Sequence, residues 1–160
     1  MRLGLIAVGR LKDGPERDLC SRYHERGLGL ARGLGFSGPD IVELAESRAR
    51  RPEERQREEA RLIGERLPAS GLVIALDERG RSLDSEAFAN RLAAARDAGT
   101  PTATLVIGGA DGLAQEIRER AGLVLCFGAL TMPHQIVRAL ALEQLYRAMT
   151  IMSRHPYHRA

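Results

Sequence analysis

The sequence predicts an α/β fold in which a largely parallel β-sheet carries helices on both faces. Three observations lead to this prediction: short apolar runs alternate with amphipathic segments, most of these runs are continuously apolar, and proline followed by acidic residues marks helix starts. Continuous apolar runs indicate strands that are covered on both faces, as in parallel sheets. At 160 residues the chain can bury one substantial core. We therefore expect a single domain over residues 1–160.

Five apolar runs predict the strands of this sheet. They are residues 2–8, 41–45, 72–77, 103–107 and 123–127. Pro15 and Pro52 mark helix starts, the second with Glu53 and Glu54 in the first turn, because proline and acidic residues suit that position. The glycine-rich segment 27–38 is interpreted as a helix end and a flexible connection. Further helices are expected over 84–98, 114–121 and 135–152.

Composition excludes several classes of protein. The N-terminal apolar run is too short for a signal peptide, and no apolar stretch is long enough to span a membrane. Cys20 and Cys126 lie far apart and form no C-x-x-C pattern, which is typical of free thiols in a reducing compartment. We expect a soluble, cytoplasmic protein.

The net charge of +3 lies entirely in the last segment of the chain. Residues 132–160 contain four arginines and one glutamate, whereas acids and bases balance over residues 1–131. A localised basic patch is what a phosphate-bearing partner would require, although chance explains four arginines about equally well. The charge-rich segment 48–66 carries nearly as many acids as bases and is interpreted as a solvated helix face rather than a nucleic-acid stripe.

Three loops follow strands of the predicted sheet, and ligands of parallel sheets lie beyond the carboxyl ends of strands. The first, around Asp77 and Gly80, is by itself typical of a simple turn. The second, Ile107 to Gly112, lacks both the phosphate-loop and the dinucleotide-binding glycine spacings, which disfavours triphosphate and nicotinamide ligands. The third, 127–135, can turn backbone N–H and C=O groups inward. Together they predict a ligand pocket.

The final helix, 135–152, is apolar around most of its circumference. A helix of this kind needs a partner besides one sheet, and a second copy of the chain is the expected partner. Arg138, Glu143 and Arg147 exclude a membrane span.

Several motifs occur in an order that resembles one known family. They are AVG-x-LK at the start, LD-x-x-G, IGG-x-x-G, LT-x-PH-x-x-R, E-Q-x-YRA and a terminal YHR. This order resembles the RlmH family, SPOUT-class methyltransferases of large-subunit ribosomal RNA, over essentially the whole chain. The resemblance implies a mostly parallel α/β sheet with a C-terminal trefoil knot, a homodimer through the C-terminal helix, and transfer of a methyl group from S-adenosylmethionine to N3 of a pseudouridine in a 23S rRNA stem-loop of the assembled ribosome.

The resemblance also implies site residues. Cofactor-binding positions match the loops of the knot and are Leu76, Gly108, Gly109, Gly128, Ala129, Leu130, Thr131, Met132 and Pro133. Catalytic positions match the C-terminal cluster Tyr157, His158 and Arg159. Gly128 departs from the family, in which serine is common at this position, and only a slight effect is expected because backbone contacts dominate.

The chemistry of methyl transfer suggests roles for the C-terminal tail, residues 154–160. His158 is the expected acceptor of the N3 proton, directly or through water, because its ordinary pKa is about 6.5. Tyr157 would stack on or position the base, while Arg154 and Arg159 would bind RNA phosphates. No metal is expected, since neither cysteine nor carboxylate accompanies His155 and His158.

The tail is expected to complete the cofactor pocket of a partner subunit. His134 is interpreted as structural or pocket-shaping, and Tyr146 as an interface residue. Two other classes remain open. One is a non-catalytic RNA-binding module for ribosome assembly, and the other is a nucleotide- or phosphate-binding regulatory domain, whose motifs are missing.

Overall fold

A five-stranded sheet forms the centre of the protein in the computed structural model, which describes residues 1–158. The strands are β1 Arg2–Val8, β2 Ser37–Leu44, β3 Leu72–Arg81, β4 Thr102–Ile107 and β5 Leu123–Leu125. The helices are α1 Pro15–Ala31, α2 Pro52–Arg66, α3 Ser85–Asp97, α4 Gln115–Arg120 and α5 His134–Met152, with a short 3₁₀-helix at Arg32–Leu34. Arg159 and Ala160 lie outside the described residues.

All neighbouring strands pair in parallel, in the order β2-β1-β4-β3-β5. The predicted α/β class with a parallel sheet is therefore confirmed, while the C-terminal trefoil knot stays a prediction. Two strands are longer than the sequence indicated. β2 begins at Ser37, because an edge strand tolerates the polar residues and Pro39 that hid its start. β3 continues to Arg81, whose carbonyl accepts a hydrogen bond from Cys126 N at 3.0 Å.

Two hydrophobic layers cover the sheet. Successive residues of β1 alternate between them: Leu5 packs into the layer formed with α1, α3 and α5, and Ile6 into the layer formed with α2 and α4. Both faces of the strand are thus buried, which explains its continuous apolar run.

The segment 27–38 contains the predicted helix end, but a 3₁₀-helix and the start of β2 leave little of the predicted flexible connection. α1 continues through Gly27 to Ala31, and β2 begins at Ser37. A Cβ atom at Gly27 would lie 3.3 Å from the terminal methyl of Met149 in α5. The glycine lets the two helices approach closely.

The apolar circumference of α5 is covered within one chain. α5 packs against both α1 and α3 and closes one side of the sheet. Arg138 is 1% exposed and pairs with Glu43, while Ile136 remains 38% exposed. The apolar pattern of α5 is therefore satisfied by helices of its own chain, and the homodimer stays a prediction. Over residues 1–158, no helix is both long enough and apolar enough to cross a membrane.

Candidate active site

A cleft of about 290 Å³ opens at the carboxyl ends of β3, β4 and β5. Its walls come from residues 76–79, 107–113, 125–127 and 130–132, together with His134 and Val137 at the start of α5. All three loops selected from the sequence therefore meet in one place. Parallel neighbouring strands bring them together, because their carboxyl ends share one edge of the sheet.

Six of the nine residues expected to bind the cofactor line this cleft. They are Leu76, Gly108, Gly109, Leu130, Thr131 and Met132. Gly128, Ala129 and Pro133 belong to the same loop but are not in the lining. Gly128 has a φ of +137°, a conformation that serine rarely adopts. Cys126 supports this loop, since its thiol donates to Gly128 O at 2.9 Å and accepts from Gly128 N at 3.2 Å.

The glycine loop, residues 108–112, makes a tight turn on the floor of the cleft. Gly112 N donates to Gly109 O at 3.0 Å. A Cβ atom at Gly108 would lie 2.7 Å from the carbonyl carbon of Gly112, so only glycine fits there without moving backbone. The shape of this turn therefore depends on glycine.

Two ion pairs hold the charged residues at the rim of the cleft. The Arg55 guanidinium binds the Asp111 carboxylate with both ends of its fork, at 2.6 Å and 2.9 Å. This hydrogen bonding lowers the pKa of Asp111 below its ordinary value. Arg118 of α4 donates to Asp77 at 3.4 Å and also to the carbonyl of Leu113. The second loop is thus held from α2 on one side and α4 on the other.

The described part of the tail, residues 154–158, folds back along α5 and does not line the cleft of its own chain. The Tyr157 hydroxyl donates to Glu143 Oε1 at 2.9 Å and contacts the Tyr23 hydroxyl at 3.4 Å. Burial, together with hydrogen bonds to Tyr23 and Glu143, raises the pKa of Tyr157 above its ordinary range. Tyr146 is buried and packs between Tyr23 and Tyr157 with its ring tilted to both, at centroid distances of 6.2 Å and 4.7 Å.

His158 lies beside α3, with Nε2 at 3.8 Å from Glu86 Oε1. Both ring nitrogens are buried and have no hydrogen-bond partner within residues 1–158. Arg154 is exposed, and the predicted roles of Arg159 fall outside the described residues. His155 Nδ1 accepts from Tyr157 N at 3.1 Å, and His134 Nε2 lies 3.7 Å from Glu46.

Comparison with known proteins decides the family. Residues 1–158 match the family model described as "Predicted SPOUT methyltransferase". The chain is 58% identical over 160 residues to ribosomal RNA large subunit methyltransferase H of Methylobacterium radiotolerans, covering 99% of this chain and 98% of the relative. The chain belongs to the SPOUT methyltransferase family.

Other SPOUT relatives agree with this assignment. Ribosomal RNA large subunit methyltransferase H of Rhodopseudomonas palustris strain BisB18 is 56% identical over 160 residues, with both chains fully covered. A solved structure of a probable methyltransferase from Bordetella pertussis Tohama I matches with a TM-score of 0.51 at 17% identity, covering 92% of this chain and 95% of that one. The last likeness shows the fold. The resemblance inferred from the sequence motifs, and the methyltransferase class that it implied, are confirmed.

The predicted basic patch of this SPOUT chain is smaller than its sequence suggested. Arg138 is buried against Glu43 and the carbonyl of Gly9, and Arg147 is paired with Glu143 at 2.6 Å. Of the arginines in this segment that the structure describes, Arg154 is left exposed. Within residues 1–158, no group of three histidine, cysteine, aspartate or glutamate side chains is placed to hold a metal ion. The expectation that the protein needs no metal stays a prediction.

The sequence analysis does not identify the residues of α2 that support the glycine loop of the cleft. The balanced charges of segment 48–66 favour a solvated helix face, yet Arg55, Gln56 and Glu59 of α2 point toward the glycine loop. The available signal was helical spacing: Glu59 precedes the buried Ala60 and lies four residues before the buried Ile63. A carboxylate on the apolar face of a helix needs a partner.

Proposed function

We propose that this chain transfers the methyl group of S-adenosylmethionine to N3 of a pseudouridine in a 23S ribosomal RNA stem-loop of the assembled ribosome. The observation that carries the proposal is the cleft built from three loops at the carboxyl ends of β3, β4 and β5, in a chain that belongs to the SPOUT methyltransferase family. Relatives named ribosomal RNA large subunit methyltransferase H, at 58% and 56% identity, support the RNA substrate. We propose further that the reaction takes place in the cytoplasm and that residues 1–160 form the single domain that performs it.

The residues of the cleft fit the proposed cofactor. Its volume of about 290 Å³ is close to the lower end of small-ligand pockets, roughly 300 Å³. Leu76, Ile107 and Leu125 offer apolar walls for an adenine ring, and the loop 127–133 offers backbone groups for the purine edge. Gly108 and Gly109 allow the second loop a shape that no other residue would permit there without a shift, since a Cβ at either would meet protein atoms within 3 Å. When bound, S-adenosylmethionine supplies an already activated methyl group.

The remaining task of the protein is to align the reactants and move one proton. Holding two reactants in near-attack geometry can lower a barrier by roughly 7–11 kcal/mol. N3 of the base becomes nucleophilic as its proton leaves, and we assign His158 as the acceptor of that proton. Tyr157 positions the base, and Arg154 and Arg159 bind phosphates of the RNA. To perform these roles, the tail must lie close to a bound S-adenosylmethionine.

Within one chain the described part of the tail, residues 154–158, packs on α5 and α3 instead of the cleft. A homodimer through α5 would place each tail at the cleft of the partner subunit. The unpartnered ring nitrogens of His158 within residues 1–158 support this arrangement, because a buried imidazole without hydrogen bonds is costly.

The test is methyl transfer from labelled S-adenosylmethionine to ribosomes that lack the modification, followed by identification of the labelled nucleoside by mass. Label in N3-methylpseudouridine is the expected result. A chain lacking residues 154–160 should bind the cofactor with near wild-type affinity and transfer no methyl group. Absence of label on ribosomes that a characterised relative does methylate would overturn the proposal and favour a non-catalytic RNA-binding module.

A further inference from the structure

We propose that Arg55, Gln56 and Glu59 of α2 are positioning residues that hold the glycine loop in its cofactor-binding conformation. This inference rests on the proposed function, because it concerns the same cleft. None of the three side chains lines the cleft, so each acts through the loop and not on the ligand.

The glycine loop has little means of holding its own shape. Three of its five residues are glycine, which has the greatest backbone freedom in the unfolded and locally open states. Its internal support is the hydrogen bond from Gly112 N to Gly109 O at 3.0 Å. A ligand that requires an ordered loop binds more weakly if the loop must first be ordered, so preorganisation from outside raises affinity.

Arg55 and Gln56 supply that order at Asp111. The Arg55 Nε and Nη2 atoms lie 2.6 Å and 2.9 Å from the two carboxylate oxygens of Asp111, a bidentate geometry that sets direction as well as distance. Gln56 Nε2 donates to the main-chain oxygen of Asp111 at 2.6 Å. Two neighbouring residues of one helical turn thus hold both the side chain and the backbone of one loop residue.

Glu59 forms the support beneath Gly109. The side chain is buried, and a Cβ atom at Gly109 would lie 2.8 Å and 3.0 Å from its two carboxylate oxygens. Its Oε1 accepts from Ser47 N at 3.1 Å, which joins the segment after β2 to the same support. The loop backbone therefore rests directly on this carboxyl group.

The supporting helix is itself fixed to the sheet. Ala60 and Ile63 of α2 are buried in the layer that contains Ile6 and Val106. Arg55 also donates to the carbonyl of Ala49 at 3.1 Å, which ties the helix start to the preceding segment. Strain or disorder at this turn of α2 would consequently reach the floor of the cleft.

The experiment uses the full chain and titration calorimetry with S-adenosylhomocysteine as the probe. Arg55→Ala should weaken binding about tenfold, since a charge-assisted bidentate contact is lost. The double variant Arg55→Ala/Asp111→Ala should bind the probe no more weakly than Asp111→Ala alone, because each of the two substitutions removes the same Arg55–Asp111 contact. Glu59→Gln keeps the shape of the side chain and should bind like the wild type, whereas Glu59→Ala should bind more weakly.

A matched control is Arg61→Ala, which removes an exposed i,i+4 pair with Glu65 on the same helix. It should leave binding unchanged. In steady-state transfer, Arg55→Ala should raise the KM for S-adenosylmethionine, while the KM for ribosomes stays the same. A smaller fraction of folded protein would not raise one KM and leave the other unchanged.

The outcomes separate the two proposals. If the wild type binds S-adenosylhomocysteine and the Arg55→Ala and Glu59→Ala variants bind it with the same affinity, the positioning role is overturned and the proposed function stands. Wild-type protein that fails to bind the probe would overturn both.

Discussion

Replacing Gly109 with alanine tests the closest contact between the glycine loop and its support. The added Cβ would lie 2.8 Å from Glu59 Oε2, 3.0 Å from Oε1 and 3.1 Å from Val8 Cγ1. All three atoms belong to buried residues, so the clash cannot be relieved by swinging a side chain into solvent. Either the loop or the Glu59 carboxyl group must move.

The expected loss of stability follows from overpacking a buried site, which costs about 1–3 kcal/mol. In a chain of this size, each 1 kcal/mol lowers the melting temperature by roughly 2–4 °C. Thermal unfolding followed by circular dichroism should therefore show a melting temperature lowered by about 2–12 °C. Binding of S-adenosylhomocysteine should weaken as well, because the loop lines the cleft.

Gly29→Ala is the matched control. Gly29 lies in α1 and a Cβ atom there would meet no other atom within 4 Å, so alanine should be neutral or slightly stabilising. Adding Glu59→Ala to Gly109→Ala should restore part of the cofactor affinity lost in Gly109→Ala. A Gly109→Ala protein with the melting temperature and cofactor affinity of the wild type would refute the reasoning.

Three further changes have results that the structure predicts. Arg138→Ala leaves the carbonyl oxygen of the buried Gly9 without its hydrogen bond and takes a charge partner from the partly exposed Glu43, so it should lower the free energy of unfolding by about 1–3 kcal/mol in urea titrations; an unchanged free energy of unfolding would contradict this reasoning. The raised pKa of Tyr157 stabilises the folded state below the unfolded pKa of about 10, and this contribution fades as the pH rises toward the folded pKa. Wild-type protein should therefore lose melting temperature faster than Tyr157→Phe above about pH 10, and parallel curves would contradict this. The lowered pKa of Asp111 stabilises the folded state above its unfolded pKa of about 3.9, and the contribution is lost as the pH falls through the folded pKa. The melting temperatures of wild type and Asp111→Asn should converge in acid, and a gap that is constant with pH would count against the Arg55 pairing.

The fold was accessible from sequence because its signals are local. Continuous apolar runs showed where β1 and β4 lie, and Pro15 and Pro52 marked the first residues of α1 and α2. The three loops could be assigned to one edge because parallel strands leave no alternative. The part of β3 beyond Asp77 was missed, since Glu78 to Arg81 is polar and its pairing with β5 depends on a distant part of the chain.

The sequence does not show in which direction the charged side chains point. Arg55 and Glu59 sit in a segment whose charges balance, and the sequence does not distinguish charges that face solvent from those that face a loop. The sequence counts Arg138 toward a basic surface, although the side chain is buried against Glu43 and the carbonyl of Gly9. The position of His158 against α3 depends on how the tail folds back, which no periodic pattern encodes.

The most direct test of the cofactor cleft is photo-crosslinking of labelled S-adenosylmethionine to the full chain, followed by tryptic digestion and mapping of the label. Cleavage after arginine places the three loops in peptides 67–79, 97–118 and 121–138. Label in these peptides, displaced by excess S-adenosylhomocysteine, is the result expected from the cleft geometry, and the proposed homodimer adds label in the tail of the partner subunit. Displaceable label found only outside them would contradict the central claim that the carboxyl ends of β3, β4 and β5 bind the methyl donor.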